Sequence, residues 1–192
     1  DNFSDDALES VNYSLEWNYV QHLTNQSRFS EAEAVINEFP DVNRYSALVS
    51  LATNVYNQDK KNKSYAVNLL EKARAQLGPK PETNMEMSYL TQIANAYSMI
   101  EPGEAFRIFE TLVPQINEMT EAAVITHGFQ GSYNVRRGEI LITQGGSIGL
   151  HLDISTFRNL AKTDFDRTLS LIGSFSRREM RVSLKQQLLE GL

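Results

Sequence analysis

The sequence of 192 residues contains no cysteine. That absence excludes disulfide bonds, thiolate metal sites and cysteine nucleophiles together. The sequence also lacks an uninterrupted apolar run near the roughly 20 residues that a membrane-spanning helix requires, so we predict no membrane span. A cysteine-free chain is compatible with export from a bacterium, and we favour an extracytoplasmic or extracellular location. The chain begins at Asp1 without a visible signal-peptide core, which indicates a processed product or a piece of a longer protein.

Positive charge is scarce over most of the chain. The net charge is −6, with eighteen Asp and Glu against nine Lys and Arg in residues 1–135, and six against nine in residues 136–192. A chain without a positive field does not bind nucleic acid broadly, so we expect no nucleic-acid partner. Two interpretations of the uneven charge stay open. Opposite charges orient contacts between copies of the chain, or both surfaces are simply solvated.

Apolar residues recur with the spacing of an α-helix along most of the chain. The pattern predicts an all-α fold with helices over residues 5–25, 30–39, 42–57, 62–77, 84–100, 103–113, 115–127, 153–163, 165–175 and 177–190. Pro114 is predicted either to kink one long helix or to open the next one. Three helix starts resemble capping boxes, in which Ser or Thr precedes Glu by three positions: Ser30/Glu33, Thr83/Glu86 and Ser176/Glu179.

Two parts of the sequence repeat at an offset of four periods, each of about 34 residues. Residues 28–52 have a degraded echo in residues 164–188, and four equivalent pairs share this offset: Phe29/Phe165, Ile36/Ile172, Phe39/Phe175 and Leu48/Leu184. Within the first half, Ala32 and Ala66 are separated by one period, and Ala105 follows after a slightly longer interval. A repeat of this length with paired helices indicates an array of helical hairpins.

The order of large and small residues resembles that of tetratricopeptide repeats. First helices of that family carry large, large, small and large residues at spacings of three, one and three, and second helices carry small, bulky and small residues. The matching sets are Leu48, Leu51, Ala52, Val55; Leu90, Ile93, Ala94, Tyr97; and Ala66, Leu70, Ala73. The sequence pattern is also similar to that of repeat proteins of unassigned role in environmental bacteria. The resemblance implies a right-handed α-α superhelix of about five hairpins that binds other proteins.

Residues 128–152 interrupt this pattern with six of the ten glycines. We therefore predict three regions: tetratricopeptide-like repeats over 1–127, an irregular glycine-rich insertion over 128–152, and degenerate repeats over 153–192. Residues 139–143 are a candidate extended piece. A loop of this length inside a compact domain is usually functional or poorly ordered.

Side chains suited to catalysis are few, and we expect neither an enzyme nor a cofactor. The three histidines, His22, His127 and His151, form no metal-binding or catalytic motif. The alternative is a metal or small-molecule site that uses Glu139, His151 and Asp153 around the insertion. The competing interpretation is that His151 is a loop residue without a functional role.

Candidate partner-binding residues come from two places. The insertion carries Phe129, Tyr133, Arg136 and Arg137, and the predicted first helix carries Tyr13 and Trp17. Aromatic residues and arginine are the types that anchor protein interfaces. Packing of the aromatics onto neighbouring helices is the alternative in both places.

Two further features of the sequence are the sequons and a cluster of arginines near the end of the chain. Four Asn-X-Ser sequons make Asn2, Asn12, Asn25 and Asn62 candidate glycosylation sites. Arg177, Arg178 and Arg181 fall in the first turn of the last predicted helix, where the helix dipole disfavours cations. Either an acidic neighbour compensates for them, an anionic partner uses them, or they are solvated.

Three functions are compatible with these observations. The first is a non-enzymatic interaction or scaffold module whose partner is another protein. The second is a structural subunit that stacks head to tail with copies of itself into a filament. The third is an enzyme or small-ligand binder that uses residues 128–152.

Overall fold

The computed structural model of the chain describes residues 5–78, 80–129, 135–136, 139–140 and 152–191. Within these residues the protein is all-α, as the apolar periodicity predicts. The helices are α1 Asp5–Asn25, α2 Phe29–Asn37, α3 Asp41–Gln58, α4 Lys63–Ala75, α5 Asn84–Ile100, α6 Pro102–Phe129, α7 Ile154–Thr163, α8 Phe165–Gly173 and α9 Arg178–Leu189, with a 3-10 turn at Lys60–Asn62. The predicted helix ends lie within two positions of those found, except where α6 continues through Pro114.

Helix α6 joins two stretches that the sequence predicts separately. The stretches 103–113 and 115–127 form this single helix, and Pro114 lies inside it. The alternative in which Pro114 opens a new helix is therefore wrong.

Part of the predicted insertion falls within the described residues. Strand β1, Val135–Arg136, pairs antiparallel with β2, Glu139–Ile140. Val135 lies opposite Ile140 and Arg136 opposite Glu139. The extended piece predicted for 139–143 is found at its first two residues, and residues 141–143 lie outside the described residues.

The chain divides into two compact units, Asp1–Gly78 and Pro79–Leu192. The division falls between Gly78 and Pro79. In the first unit α2 packs on α1 and α3, α3 packs on α4, and α1 also touches α3. In the second unit α5 packs on α6 and α7, while α7 also contacts α6, α8 and α9. In the first unit α1 and α2 both contact α3 of the next hairpin, and in the second unit α5 and α6 both contact α7.

The stripes that carry the repeat pattern form the cores of both units. All eleven residues of the three best-matching sets are buried, including the small residues Ala52, Ala73 and Ala94. Alanine at these positions lets helix axes approach closely, while the large residues fill the grooves between side-chain ridges. Full burial of each large apolar side chain contributes about 1.5–3 kcal/mol of transfer free energy. No described helix combines the length and apolar character needed to cross a bilayer.

Arginine side chains donate to carbonyl groups at or just beyond three helix ends. Phe39 and Phe175 follow the ends of α2 and α8, whereas Gln187 is among the last four residues of α9, whose carbonyls have no partner within the helix. The bonds run from Arg44 Nη2 to Phe39 O (2.6 Å), from Arg181 Nη1 to Phe175 O (2.6 Å) and from Arg158 Nη2 to Gln187 O (2.9 Å). Each arginine thus ties two consecutive or neighbouring helices together.

Only one of the three predicted capping boxes is close to its expected form. Thr83 Oγ1 accepts a hydrogen bond from the N–H of Glu86 at 3.1 Å, and the Glu86 carboxylate accepts the N–H of Glu82 at 2.7 Å. The other two predictions are wrong, because α2 and α9 begin after Arg28 and Arg177 without a side-chain cap.

Candidate functional site

An open depression lies between α6 and α8 in the second unit. Its volume is about 290 Å³, and its lining combines apolar and polar side chains: Glu110, Val113, Pro114, Arg167, Ser170, Leu171 and Ser174. Val113 and Leu171 are buried, so they form the apolar floor, while Glu110, Arg167 and the two serines are exposed. The depression therefore offers an apolar surface with hydrogen-bonding groups beside it.

The polar side of this depression is an ordered ion pair. Arg167 Nη2 and Nε lie 2.7 and 3.1 Å from Glu110 Oε1. The Arg167 guanidinium carbon also lies 4.3 Å from the centre of the Phe106 ring, at cation–π distance. Because both charged side chains are roughly half exposed, the pair contributes at most about 1 kcal/mol to stability. Its clearest effect is to fix where the guanidinium lies.

Pro114 changes the hydrogen bonding of α6 at the depression. Proline has no N–H, so residue 114 cannot donate the usual helical bond to the carbonyl of Glu110, four positions earlier. Glu110 and Pro114 both line the depression. A backbone acceptor that has lost its intrahelical donor therefore belongs to a residue at the site.

A second, smaller depression lies between α5 and α7. Its volume is about 150 Å³, and it is lined by Ser88, Thr91, Gln92, Asn95, Phe109, Asp153 and Thr156. Asn95 connects the two helices, because its Nδ2 lies 3.3 Å from Asp153 Oδ2 and its Oδ1 accepts from Ser155 at 3.4 Å. Asp153 also caps α7 by accepting the N–H of Ser155 at 2.8 Å. These polar groups hold α5 against α7.

Only part of the predicted metal or small-molecule site lies within the described residues. Asp153 acts as the N-cap of α7, and Glu139 is exposed in β2, but His151 lies outside the described residues. Among the residues that the structure describes, no three His, Asp or Glu side chains are grouped closely enough to hold a metal ion. The enzyme hypothesis for residues 128–152 stays a prediction.

The two aromatic residues predicted on α1 are half-buried. The Tyr13 ring meets the buried Phe39 ring edge to face, with 5.3 Å between ring centres. Burial raises the pKa of Tyr13 above its ordinary value. Among the side chains of α1 that the structure describes, the most exposed large apolar ones are instead Leu15 and Tyr19. Tyr13 thus contributes to packing within the first unit, as the alternative interpretation predicts.

The other predicted partner-binding residues lie at the edge of the described chain. Phe129 is the last residue of α6 and Arg136 belongs to β1, but their side chains are outside the described part, as are Tyr133 and Arg137. For the sequons, Asn25 is exposed at the end of α1 and Asn62 is half-buried in the 3-10 turn. Asn2 and the side chain of Asn12 lie outside the described residues.

The arginines at the start of α9 have acidic and carbonyl partners. Arg177 Nε and Nη2 lie 2.7 and 2.5 Å from the carboxylate oxygens of Glu121 on α6. Arg181 donates to the carbonyls of Phe175 and Ser176. For these two residues, intramolecular partners offset the unfavourable helix dipole, whereas Arg178 is exposed.

The first unit contains a buried carboxylate that sequence reasoning assigned to a helix cap. Glu33 on α2 accepts hydrogen bonds from Tyr65 Oη at 2.6 Å and Lys72 Nζ at 2.5 Å, both on α4. Burial alone raises the pKa of Glu33, but the bonds from Lys72 and Tyr65 outweigh it and lower the pKa below its ordinary value. Burial and the bond to Glu33 raise the pKa of Tyr65. Glu33 therefore stays ionised and joins α2 to α4.

Sequence reasoning missed the depression between α6 and α8. One signal in the sequence is Pro114, which is predicted either to kink a long helix or to open the next one. Arg167 and Glu110 are 57 residues apart, so their pairing follows from tertiary structure alone. Comparison of the chain with protein-family models, curated proteins and solved structures finds no match.

Proposed function

We propose that this chain is a non-enzymatic interaction module that holds a segment of a partner protein in the depression between α6 and α8. The carrying observation is the composition of that depression: an apolar floor beside a fixed Arg167–Glu110 pair. Interfaces of this kind seat an apolar anchor in a pocket and use arginine at its border.

The scaffold that supports this site is an array of tetratricopeptide-like hairpins in a right-handed superhelix. Two observations support this part of the proposal. The repeat stripes are buried between consecutive helices, and each unit joins a hairpin to the next one. Helical-repeat scaffolds of this type offer extended surfaces to other proteins.

The composition of the depression favours an apolar side-chain anchor. Its volume of about 290 Å³ lies at the lower edge of the range of about 300–1,000 Å³ for small-molecule pockets. A bulky apolar side chain from an extended or helical segment fits the apolar floor.

Selection from a displayed random-peptide library tests the proposal. The library is selected on the immobilised wild-type chain, and enriched peptides are then titrated against Ser170→Trp, whose indole fills the depression. Ser88→Trp is the matched control, because it places the same bulk in the depression between α5 and α7. Both serines are exposed, so both variants keep their helices, which circular dichroism verifies.

We expect the enriched peptides to share a bulky apolar residue and to bind Ser170→Trp at least about tenfold more weakly, a loss of about 1.4 kcal/mol. Binding to Ser88→Trp is expected to match the wild type. If no peptide is enriched, or if Ser170→Trp binds as well as the wild type, the depression is not a binding site.

A further inference from the structure

One face of α9 combines exposed apolar residues with positive charge. Val182 and Leu189 are 55% and 67% exposed. Arg178 and Lys185 lie near them on the surface, and the spacing of all four residues places them on the same side of the helix. Helix α9 holds three basic residues against one acidic residue, a net charge of +2. Flanking Arg177 and Glu190 leave that value unchanged.

One face of α1 has the opposite character. Leu15 and Tyr19 are 62% and 51% exposed and lie one helical turn apart, with the exposed Glu16 beside them. The first Lys or Arg of the sequence is Arg28, and α1 holds four acidic residues without a basic one, a net charge of −4. Large exposed apolar side chains at helical spacing indicate a contact surface when they share one face.

We propose that the exposed face of α9 in one copy of the chain packs on the exposed face of α1 in a second copy. The apolar pairs Val182/Leu189 and Leu15/Tyr19 supply the buried contact, and the opposite charges set its polarity. Pairing α1 with α1 brings together two helices of charge −4, and pairing α9 with α9 brings together two of charge +2. Like charges facing each other oppose both of those arrangements, so the contact is heterologous.

A heterologous contact links copies head to tail, into a ring if the rotation closes or an open chain if it does not. This surface is separate from the depression between α6 and α8. The inference therefore stands or falls independently of the proposed peptide site.

Two variants of the full chain test the contact. Tyr19→Lys disables the α1 face, and Val182→Glu with Leu189→Glu disables the α9 face. All three residues are exposed, so circular dichroism and thermal melting are expected to match the wild type. Ile125→Lys is the matched control, because Ile125 is an apolar residue, 72% exposed, outside both faces. Sedimentation velocity over a range of protein concentrations is the measurement.

We expect the wild type and Ile125→Lys to form species larger than a dimer as concentration rises, and each disabled variant to remain monomeric. An equal mixture of the two disabled variants is expected to give a one-to-one dimer and nothing larger, since one intact α9 face and one intact α1 face remain. Raising salt from 0.1 M to 1 M shortens the Debye length from about 10 to about 3 Å. We expect that change to weaken wild-type association at least about tenfold.

Three results would overturn the inference. The first is a wild-type chain that stays monomeric at every concentration. The second is a mixture that forms no dimer, and the third is association that high salt leaves unchanged.

Discussion

The corner between α2 and α3 and the corner between α8 and α9 contain equivalent contacts at the two ends of the long sequence repeat. In each, a buried phenylalanine follows the end of one helix, and an arginine from the next helix donates to its carbonyl. The residues are Phe39 with Arg44, and Phe175 with Arg181. The corners differ in what else holds them. Arg44 pairs with Asp41 of its own helix at 3.0 Å, whereas α6 supplies partners to the second corner.

The partners from α6 are the side chains of Asn117 and Glu121. Asn117 donates to the carbonyl of Ser174 at 3.0 Å and accepts the N–H of Ser176 at 2.8 Å, while Glu121 pairs with Arg177. The comparison separates the contacts that the two corners share from those that differ between them. The buried aromatic ring and the arginine bond recur, and the remaining polar contacts depend on which helix lies alongside.

The test with the largest expected effect removes the buried phenylalanine ring from each corner. Phe39→Ala and Phe175→Ala each delete a fully buried ring that touches another aromatic ring, Tyr13 in the first unit and Phe157 in the second. We expect each to lower the free energy of unfolding by about 3–5 kcal/mol. Denaturant unfolding with site-resolved hydrogen exchange measures the loss and locates it.

The control for this test is Phe165→Ala, at the exposed echo of Phe29. Phe165 is 39% exposed, so its loss is expected to cost clearly less than either buried ring. If removing Phe39 and removing Phe165 cost the same, the burial that defines the equivalent corners does not determine stability.

The second test concerns a difference between the two units. Glu33 on α2 joins Tyr65 and Lys72, and the residue at the equivalent place in the echo is the half-buried Leu169 on α8. Glu33→Gln removes the ion pair with Lys72. We expect a loss of about 2 kcal/mol at neutral pH, in the range of a hydrogen bond to a charged group.

The dependence of stability on pH identifies the source of that loss. Because folding lowers the pKa of Glu33, its contribution is present above the ordinary value near 4.3, and it is lost as pH falls through the lower folded-state pKa. Because folding raises the pKa of Tyr65, its contribution is present below the ordinary value near 10 and is lost as pH rises above that value.

Unfolding measured across pH checks both limbs. Glu33→Gln is expected to flatten the acid limb, and Tyr65→Phe the alkaline limb. An acid limb that keeps its full slope in Glu33→Gln would show that other carboxylates cause it.

Helix positions were accessible from the sequence because each helix carries its own periodic stripe. Helix α1 begins and ends where predicted, and the stripe of α3 is buried throughout. Local signals failed where a distant group competed for the same atoms. Glu33 was expected to cap α2, but Tyr65 and Lys72 bind its carboxylate from 32 and 39 residues away. Ser176 was expected to cap α9, but its N–H bonds Asn117 on α6.

The candidate site was less accessible for the same reason. The depression between α6 and α8 depends on a contact between Arg167 and Glu110 that no local pattern encodes. The exposed faces of α1 and α9 can be partly recognised from the sequence. Four apolar residues interrupt otherwise polar sides of these helices: Leu15, Tyr19, Val182 and Leu189. Whether such a residue is buried depends on which helix covers it, and sequence periodicity does not supply that.

The test with the smallest expected effect on stability compares the turns that precede the two corners. The turn from α1 to α2 places Ser27 in the left-handed region, at φ 59°, and Arg28 gives α2 no side-chain cap. The equivalent of Arg28 is Asp164, which caps α8 by accepting the N–H of Arg167 at 2.9 Å. The first turn thus satisfies a backbone carbonyl at the end of α1, because the N–H of Arg28 donates to Leu23 O at 2.9 Å. The second turn satisfies a backbone N–H at the start of α8.

Asp164→Ala is therefore expected to cost about 1 kcal/mol, the usual loss when a helix N-cap is replaced by alanine. Arg28→Ala is the matched control at the equivalent position, where the side chain makes an exposed pair with Glu31 and caps no helix. Denaturant unfolding compares the two, and Asp164→Asn, which keeps a capping oxygen, is expected to restore most of the loss. Equal costs for Asp164→Ala and Arg28→Ala would contradict this account, because they would mean that both turns depend on the residue before the helix to the same degree.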